Sequence, residues 1–458
     1  MIKFYLNEVA SIVAGTLVGD DIEISNISTD SNKITSDCMF VALVGERFDA
    51  HKFIDGAINN KAAAVLLHKK PTTDLAVPYI LVKDTLVALS ALAKAVRDKI
   101  SPLVFAITGS CGKTTVKTML ANIAAQEGKV KSTPLSYNNH VGVPLSLLSL
   151  AVGDRYGVFE IGANHSGEIA ELVKLVQPDI ALINNIAPVH LEGFGTVDKV
   201  AYAKAEIFTG LHKGVGVAVL NYDDAYRDFL IQQTTDYKQL YYSLTNNKAD
   251  VFATDIESND RGFCGFNLHC KREVLPVQLA VAGKVQIANA LAAATMALAA
   301  DFNLKSIVAG LQTPINNKGR MNIHEFNNLC LIDDTYNANV HSVKEAISYL
   351  SALDGRKCFI LGELAELGAD ADSLYHDIGL SAQASNINNF FTIGSNLKNI
   401  GIDADYSHNF VDQAALLEFL KQGFLQKIDF IFIKGSRSAN MDALVDNLLT
   451  YLNAQEVS

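Results

Sequence analysis

The chain has 458 residues, 49% of them apolar and 19% charged, with a formal net charge of −11. That length suits about three domains with sizeable cores, and the acidic balance excludes a general nucleic-acid binder, whose phosphate contacts need a basic surface. Its six cysteines form no CxxC pair and no zinc-finger spacing, so they read as free thiols of a reducing compartment and the expected location is cytoplasmic.

In chain order, the apolar start from Met1 to Gly19 is broken by Asn7 and Glu8 and lacks a small-residue cleavage site. A helix-plus-strand start is expected there, not a signal peptide. Short strands are predicted at Met39–Leu43, Ala64–Leu67 and Tyr79–Val82, then a helical run from Leu86 to Asp98. Lys99-Ile100-Ser101-Pro102 reads as a linker, because Pro102 removes a donor just before the next strand. Near-continuous apolar runs at Val104–Thr108, Gly157–Ile161, Ile180–Asn184 and Val215–Leu220 suit a parallel sheet covered on both faces. The apolar helical stretch Ala288–Ala300 is too short to span a bilayer. After Thr313–Gly319 the alternation starts again, with strands at Cys330–Asp333, Lys357–Leu361, Asn389–Ile393 and Asp429–Ile433 in a doubly wound pattern. The fold class is therefore α/β in three domains, 1–99, 100–314 and 315–458.

The most informative run is Thr108-Gly109-Ser110-Cys111-Gly112-Lys113-Thr114-Thr115, placed after an apolar strand and opening a helix. The helix is marked by Val116, Met119, Leu120, Ile123 and Ala124 at helical spacing and by Gly128 at its end. Glycines let backbone N–H groups approach a nucleotide phosphate, and the helix terminus adds partial positive charge. Lys113 suits the β/γ-phosphates and the Thr114 hydroxyl suits Mg²⁺. The general pattern G-x₄-G-K wants a glycine where Ile107 stands. Glu160 is an acid ending an apolar strand, which is costly unless it is paired or metal-bound. His190 follows another strand and is either a structural histidine or a metal ligand. Lys204 reads from periodicity as an exposed helix lysine. Asp333-Asp334-Thr335-Tyr336-Asn337-Ala338-Asn339 and Lys434-Gly435-Ser436-Arg437 both follow strands, on the carboxyl edge where such sheets bind ligands.

These segments, with Asn138-Asn139-His140-Val141-Gly142-Val143-Pro144, Lys204-Ala205-Glu206-Ile207-Phe208, Asn289–Ala293, Gly319-Arg320, and Leu361–Gly368 with His376, resemble the Mur ligases over essentially the whole chain. That family forms amide bonds of peptidoglycan precursors at the expense of ATP. The resemblance implies a uridine-nucleotide domain, a central P-loop ATPase domain and a C-terminal Rossmann-like ligase domain. It implies that Thr108 to Thr115, Asn289, Arg320 and Asp334 bind ATP, and that Asp30, Ser31, Tyr336, Asn337 and Asn339 bind substrate. Thr114 and Glu160 would hold one Mg²⁺ ion, and His190 with Lys204 a second. Lys204 aligns with a lysine that CO₂ carbamylates in relatives, and Lys113, His190 and Lys204 would be catalytic. The Tyr-Asn-Ala-Asn run points to the member that adds D-alanyl-D-alanine to a UDP-N-acetylmuramoyl tripeptide; separately, a monomer is expected. No Asp-Asn-Pro-Arg run, the mark of the diamino-acid-adding relative, is present. Two positions depart from the family pattern: Asn32 replaces an arginine and Val340 replaces a proline. A diamino-acid ligase and a P-loop switch or phosphotransferase are the alternatives.

Overall fold

Runs of β-branched and aromatic residues separated by amphipathic helices can bury their apolar faces only by layering helices on sheets. The computed structural model describes residues 2–45, 48–368, 371–394, 397, 400 and 406–456 and shows three such layered units. The first is a five-stranded sheet in the order Thr16–Val18, Tyr79–Leu81, Ala64–Leu67, Cys38–Val41, Asn26–Ser28. Its closing helix, Thr85–Ile100, begins at Asp84, whose carboxylate accepts from the N–H groups of Leu86 and Val87. The helix runs through Lys99 and Ile100, so the expected linker shrinks to Ser101-Pro102. Nothing in Lys99-Ile100 breaks a helix, whereas Ser101 precedes a proline and leaves the helical region at φ +48°.

The described residues of the middle region form a nine-stranded sheet. The strand Leu103–Thr108 lies between Tyr156–Glu160 and Ile180–Ile183, and all three are parallel. The winding direction reverses beside this strand, which opens a crevice at the carboxyl ends. Alternate residues of one strand serve two cores: Val104 and Ala106 pack with Leu89, Leu147 and Ile169, while Phe105 and Ile107 pack with Leu120, Leu291 and Ile307. The sheet is thus covered on both faces, as its apolar runs require.

Beyond Lys238–Ser243, the sheet is extended by Val251–Ser258, Phe263–Cys270 and Glu273–Ala282, the last three pairing antiparallel. The parallel reading did not include this extension. Its signal has period two: Cys264, Phe266, Leu268 and Cys270 are buried and the residues between them half-exposed. The third unit is a six-stranded sheet in the order Asn322–Phe326, Leu329–Asp334, Phe430–Lys434, Lys357–Gly362, Asn389–Ile393, Ser407–Phe410. Only the first strand is antiparallel among these. Phe359 stacks on Phe390 and on Phe432, each at 5.2 Å, across three neighbouring strands. All six cysteines are free and five are buried. Among the described residues no helix is long and apolar enough to cross a membrane.

Candidate active site

The helix Lys113–Glu127 starts directly after Gly112, which holds φ +79°, and the turn before it begins at Gly109, φ +151°. A Cβ on Gly112 would collide with the Asn289 carboxamide and approach Asn184 Nδ2 to 2.6 Å, so only glycine fits. Ile107, where the general pattern wants glycine, is a fully buried strand residue paired with Glu160 on one side and Leu182 on the other. The turn therefore starts two residues later and is shorter. Asn184 and Asn185, from the end of the neighbouring strand, brace it: Asn185 Oδ1 accepts from Cys111 N at 2.8 Å, and Asn184 Nδ2 donates to Cys111 O at 2.9 Å. Lys113 Nζ donates to the carbonyl of Gly109 at 2.7 Å, and burial pulls its pKa down.

Glu160 is 1% exposed. Its carboxylate accepts from Thr114 Oγ1 and from Asn138 Nδ2, both at 2.8 Å, and lies 3.9 Å from the ammonium of Lys117. Lys117 is itself buried and donates to the carbonyls of Thr133 and Leu135. Sequence reasoning missed Lys117. The available signal was its place four residues after Lys113, on the same helix face.

Lys204, in the helix Val197–Ala205, is 3% exposed, so the reading of an exposed helix lysine is wrong. Desolvation, followed by the charge of Lys113, pushes its pKa down to about 7. The side chain lacks a carboxylate within ion-pair distance among the described residues, and it lines the same cavity as Lys113. His190 sits at φ +50° and its Nδ1 contacts the carboxylate of Glu366, which reaches over from the third unit. That contact holds the Glu366 carboxyl below its ordinary pKa.

The third unit supplies the opposite wall. Asp334 forms an ion pair with Lys434, a residue 3% exposed, and accepts from Met321 N at 3.2 Å. The Arg320 guanidinium lies 4.1 Å from the Tyr336 ring centroid and donates to Ser136 Oγ at 3.2 Å, tying the two units together. Asn337 Oδ1 accepts from Arg437 N. Asn339 caps the helix Val340–Ser351 reciprocally with Ser342, and its Nδ2 donates to Cys111 Sγ at 3.3 Å. Val340 occupies the first helical position, where the proline of the family pattern would also fit. Asn289 donates to Gln286 and accepts from Asn184, so its carboxamide buttresses the phosphate loop.

One cavity of about 510 Å³ is lined by Lys113, Thr114, Glu160, His190, Lys204 and Asn289 on one side and by Arg320, Asp334, Tyr336, Asn337 and Asn339 on the other. Asp30 and Ser31 are not among its lining residues. They form a short turn in the first unit, where Asp30 Oδ1 accepts from Asn32 N.

A phosphate loop at a sheet's switch point, facing a second lobe across a shared cavity, defines a class of enzymes that use a nucleoside triphosphate between two domains. Three family models match: "Mur ligase family, catalytic domain" over residues 23–99, "Mur ligase middle domain" over 107–297, and "Mur ligase, glutamate ligase domain" over 319–437. The UDP-N-acetylmuramoyl-tripeptide–D-alanyl-D-alanine ligase of Buchnera aphidicola subsp. Baizongia pistaciae is 40% identical, over 98% of this chain and 99% of its own. The enzyme of that name from Escherichia coli strain K12 is 39% identical over 97% and 98%. A crystal structure of MurF from Acinetobacter baumannii superposes with a TM-score of 0.92 at 32% identity, covering 98% of this chain and 99% of that one. The chain belongs to the Mur ligase family.

Proposed function

We propose that the chain is an ATP-dependent, ADP-forming ligase that joins D-alanyl-D-alanine to a UDP-N-acetylmuramoyl tripeptide in cytoplasmic peptidoglycan precursor synthesis. The observation that carries this reading is the meeting, in one cavity, of the phosphate loop with the Tyr336–Asn339 stretch of the third unit. The relatives named above support the choice of substrates.

The tripeptide's terminal carboxylate attacks the γ-phosphorus of ATP, and the β,γ-bridging oxygen leaves with ADP. The acyl phosphate formed is then attacked by the dipeptide amine, and phosphate and a proton leave as the amide forms. Lys113 screens the repulsion between carboxylate and triphosphate. Domain closure keeps water from the acyl phosphate. Thr114 Oγ1 and the buried Glu160 carboxylate, 2.8 Å apart, are hard oxygen donors that fit Mg²⁺. Bound there, the ion would neutralise phosphate charge. A second ion would be held by His190 and by Lys204 as a carbamate. The low pKa of Lys204, about 7, supports this because the neutral amine is the form that adds CO₂. Residues 1–99 are assigned to the UDP substrate, with Asp30 and Ser31 in contact with it, 100–314 to ATP, and 315–458 to the dipeptide side, in a monomer.

Phosphate release from ATP with UDP-muramoyl tripeptide tests the reading. It is expected with D-alanyl-D-alanine and absent with a diamino acid. Turnover that ignores the UDP-peptide would instead make the chain a P-loop phosphotransferase.

A further inference from the structure

Lys117 has no part in the reaction as drawn, yet the structure places its charge in one of the most buried parts of the site. It is 4% exposed, and its ammonium makes three contacts. Two go to backbone carbonyls, Thr133 O at 2.8 Å and Leu135 O at 2.5 Å, and the third faces Glu160 at 3.9 Å. The two carbonyls belong to a strap, residues 133–138, that joins the strand Val130–Ser132 to the turn before the helix Gly142–Leu148.

The strap surrounds the Thr114–Glu160 pair. Thr133 Oγ1 accepts from Glu160 N at 3.0 Å. Ser136 Oγ lies 3.4 Å from Thr114 Oγ1 and accepts from Arg320. Asn138 Nδ2 donates to Glu160 Oε1. Leu135 is forced to φ +50° with its side chain 69% exposed, so no packing of its own holds that strained backbone. What the strained conformation achieves is to turn the Leu135 carbonyl inward, onto Lys117.

We infer that Lys117 is a positioning residue: it fixes the strap so that Ser136 and Asn138 hold Thr114 and Glu160 ready for a divalent cation. A simpler role, as counter-ion to Glu160, makes the opposite prediction. Removing a neighbouring positive charge would then tighten cation binding, whereas loss of the strap weakens it. The inference rests on the proposed assignment of Thr114 and Glu160 to the metal.

The test is Mn²⁺ binding to the full-length protein with ADP, followed by electron paramagnetic resonance, alongside steady-state kinetics. Lys117→Met is expected to weaken Mn²⁺ binding about tenfold or more and to lower kcat by about a hundredfold, with KM for ATP changed by less than about threefold. Lys117→Arg, which keeps the charge and two donors, is expected to recover most of kcat. Asn138→Ala and Lys117→Met are expected to be non-additive, since both release the same strap. Leu135→Pro fixes φ near −65° and unpins the strap while leaving the Lys117 charge in place with its Thr133 contact, so it is expected to reproduce the Mn²⁺ defect even if the methionine variant does not fold. Tighter or unchanged Mn²⁺ binding in Lys117→Met, or a silent Leu135→Pro, overturns the inference. A wild-type protein that binds no Mn²⁺ with ADP overturns the metal assignment itself.

Discussion

Lys204 shows how much a single side chain's surroundings decide. Its pKa of about 7 means that, between that value and the ordinary lysine value near 10.5, the unfolded chain carries a proton the folded chain lacks. Stability therefore rises with pH across that window and is independent of this group below it. Lys204→Met is expected to flatten that rise in urea titrations run from pH 7 to 10. Lys204→Ala is expected to abolish turnover, with partial rescue by formate or acetate as a substitute carboxylate. Full activity without rescue would return Lys204 to a structural role. The role of Lys204 was legible only through the family resemblance, and its burial and lowered pKa were not legible at all. Tyr202, two positions away on the same helix, is 62% exposed, and local periodicity cannot show that Lys204 is buried near Lys113 of another segment. Lys113, Thr114 and Glu160 were legible because a strand, a glycine turn and a helix start are local features. Lys117 was equally local and was hidden by its lack of any motif.

At the level of elements, the helix Val340–Ser351 follows the loop Tyr336–Asn339, which lines the shared cavity. Its cap, Asn339, also reaches Cys111. Asn339→Ala is expected to cost about 1 kcal/mol, the usual worth of a cap, measured by urea denaturation. Val340→Pro should be neutral or stabilising by up to about 1 kcal/mol, because Asn339 is already extended at φ −138° and the first helical position needs no donor. The departure at Val340 thus leaves the helix start intact. Lys434→Met carries a larger penalty, about 3–5 kcal/mol, because it strands the Asp334 carboxylate in the wall of the cavity. Calorimetry of the variant checks this. The parallel strands that are unbroken apolar runs were readable to within a residue or two, as at Asn389–Ile393, whereas the parallel strands Lys238–Ser243 and Ser407–Phe410, rich in polar residues, were not. Nor was the antiparallel extension, because its signal is the alternation of buried and half-exposed residues along Phe263–Cys270, which a search for unbroken apolar runs passes over.

For the whole molecule, the cavity is shared by two units, so any ligand that fills it ties them together. ADP with Mg²⁺ at about a hundred times its Kd is expected to add about 2.7 kcal/mol to stability. The same ligand should merge separate melting steps of the middle and third units into one, as read by calorimetry. The sheet order that creates this cavity also decides which two strands of that sheet meet neighbouring molecules at its rims. One rim of the nine-stranded sheet is the three-residue strand Val130–Ser132, too short to template a new partner. The other is Glu273–Ala282, where exposed Pro276 lacks a donor and Glu273 sets a charge at the end. Open sheets invite edge-to-edge stacking between molecules, and here both rims refuse it. Pro276→Val would supply the missing donor in a strand that already exposes Val274, and concentrated solutions of that variant would scatter light where the parent chain stays clear.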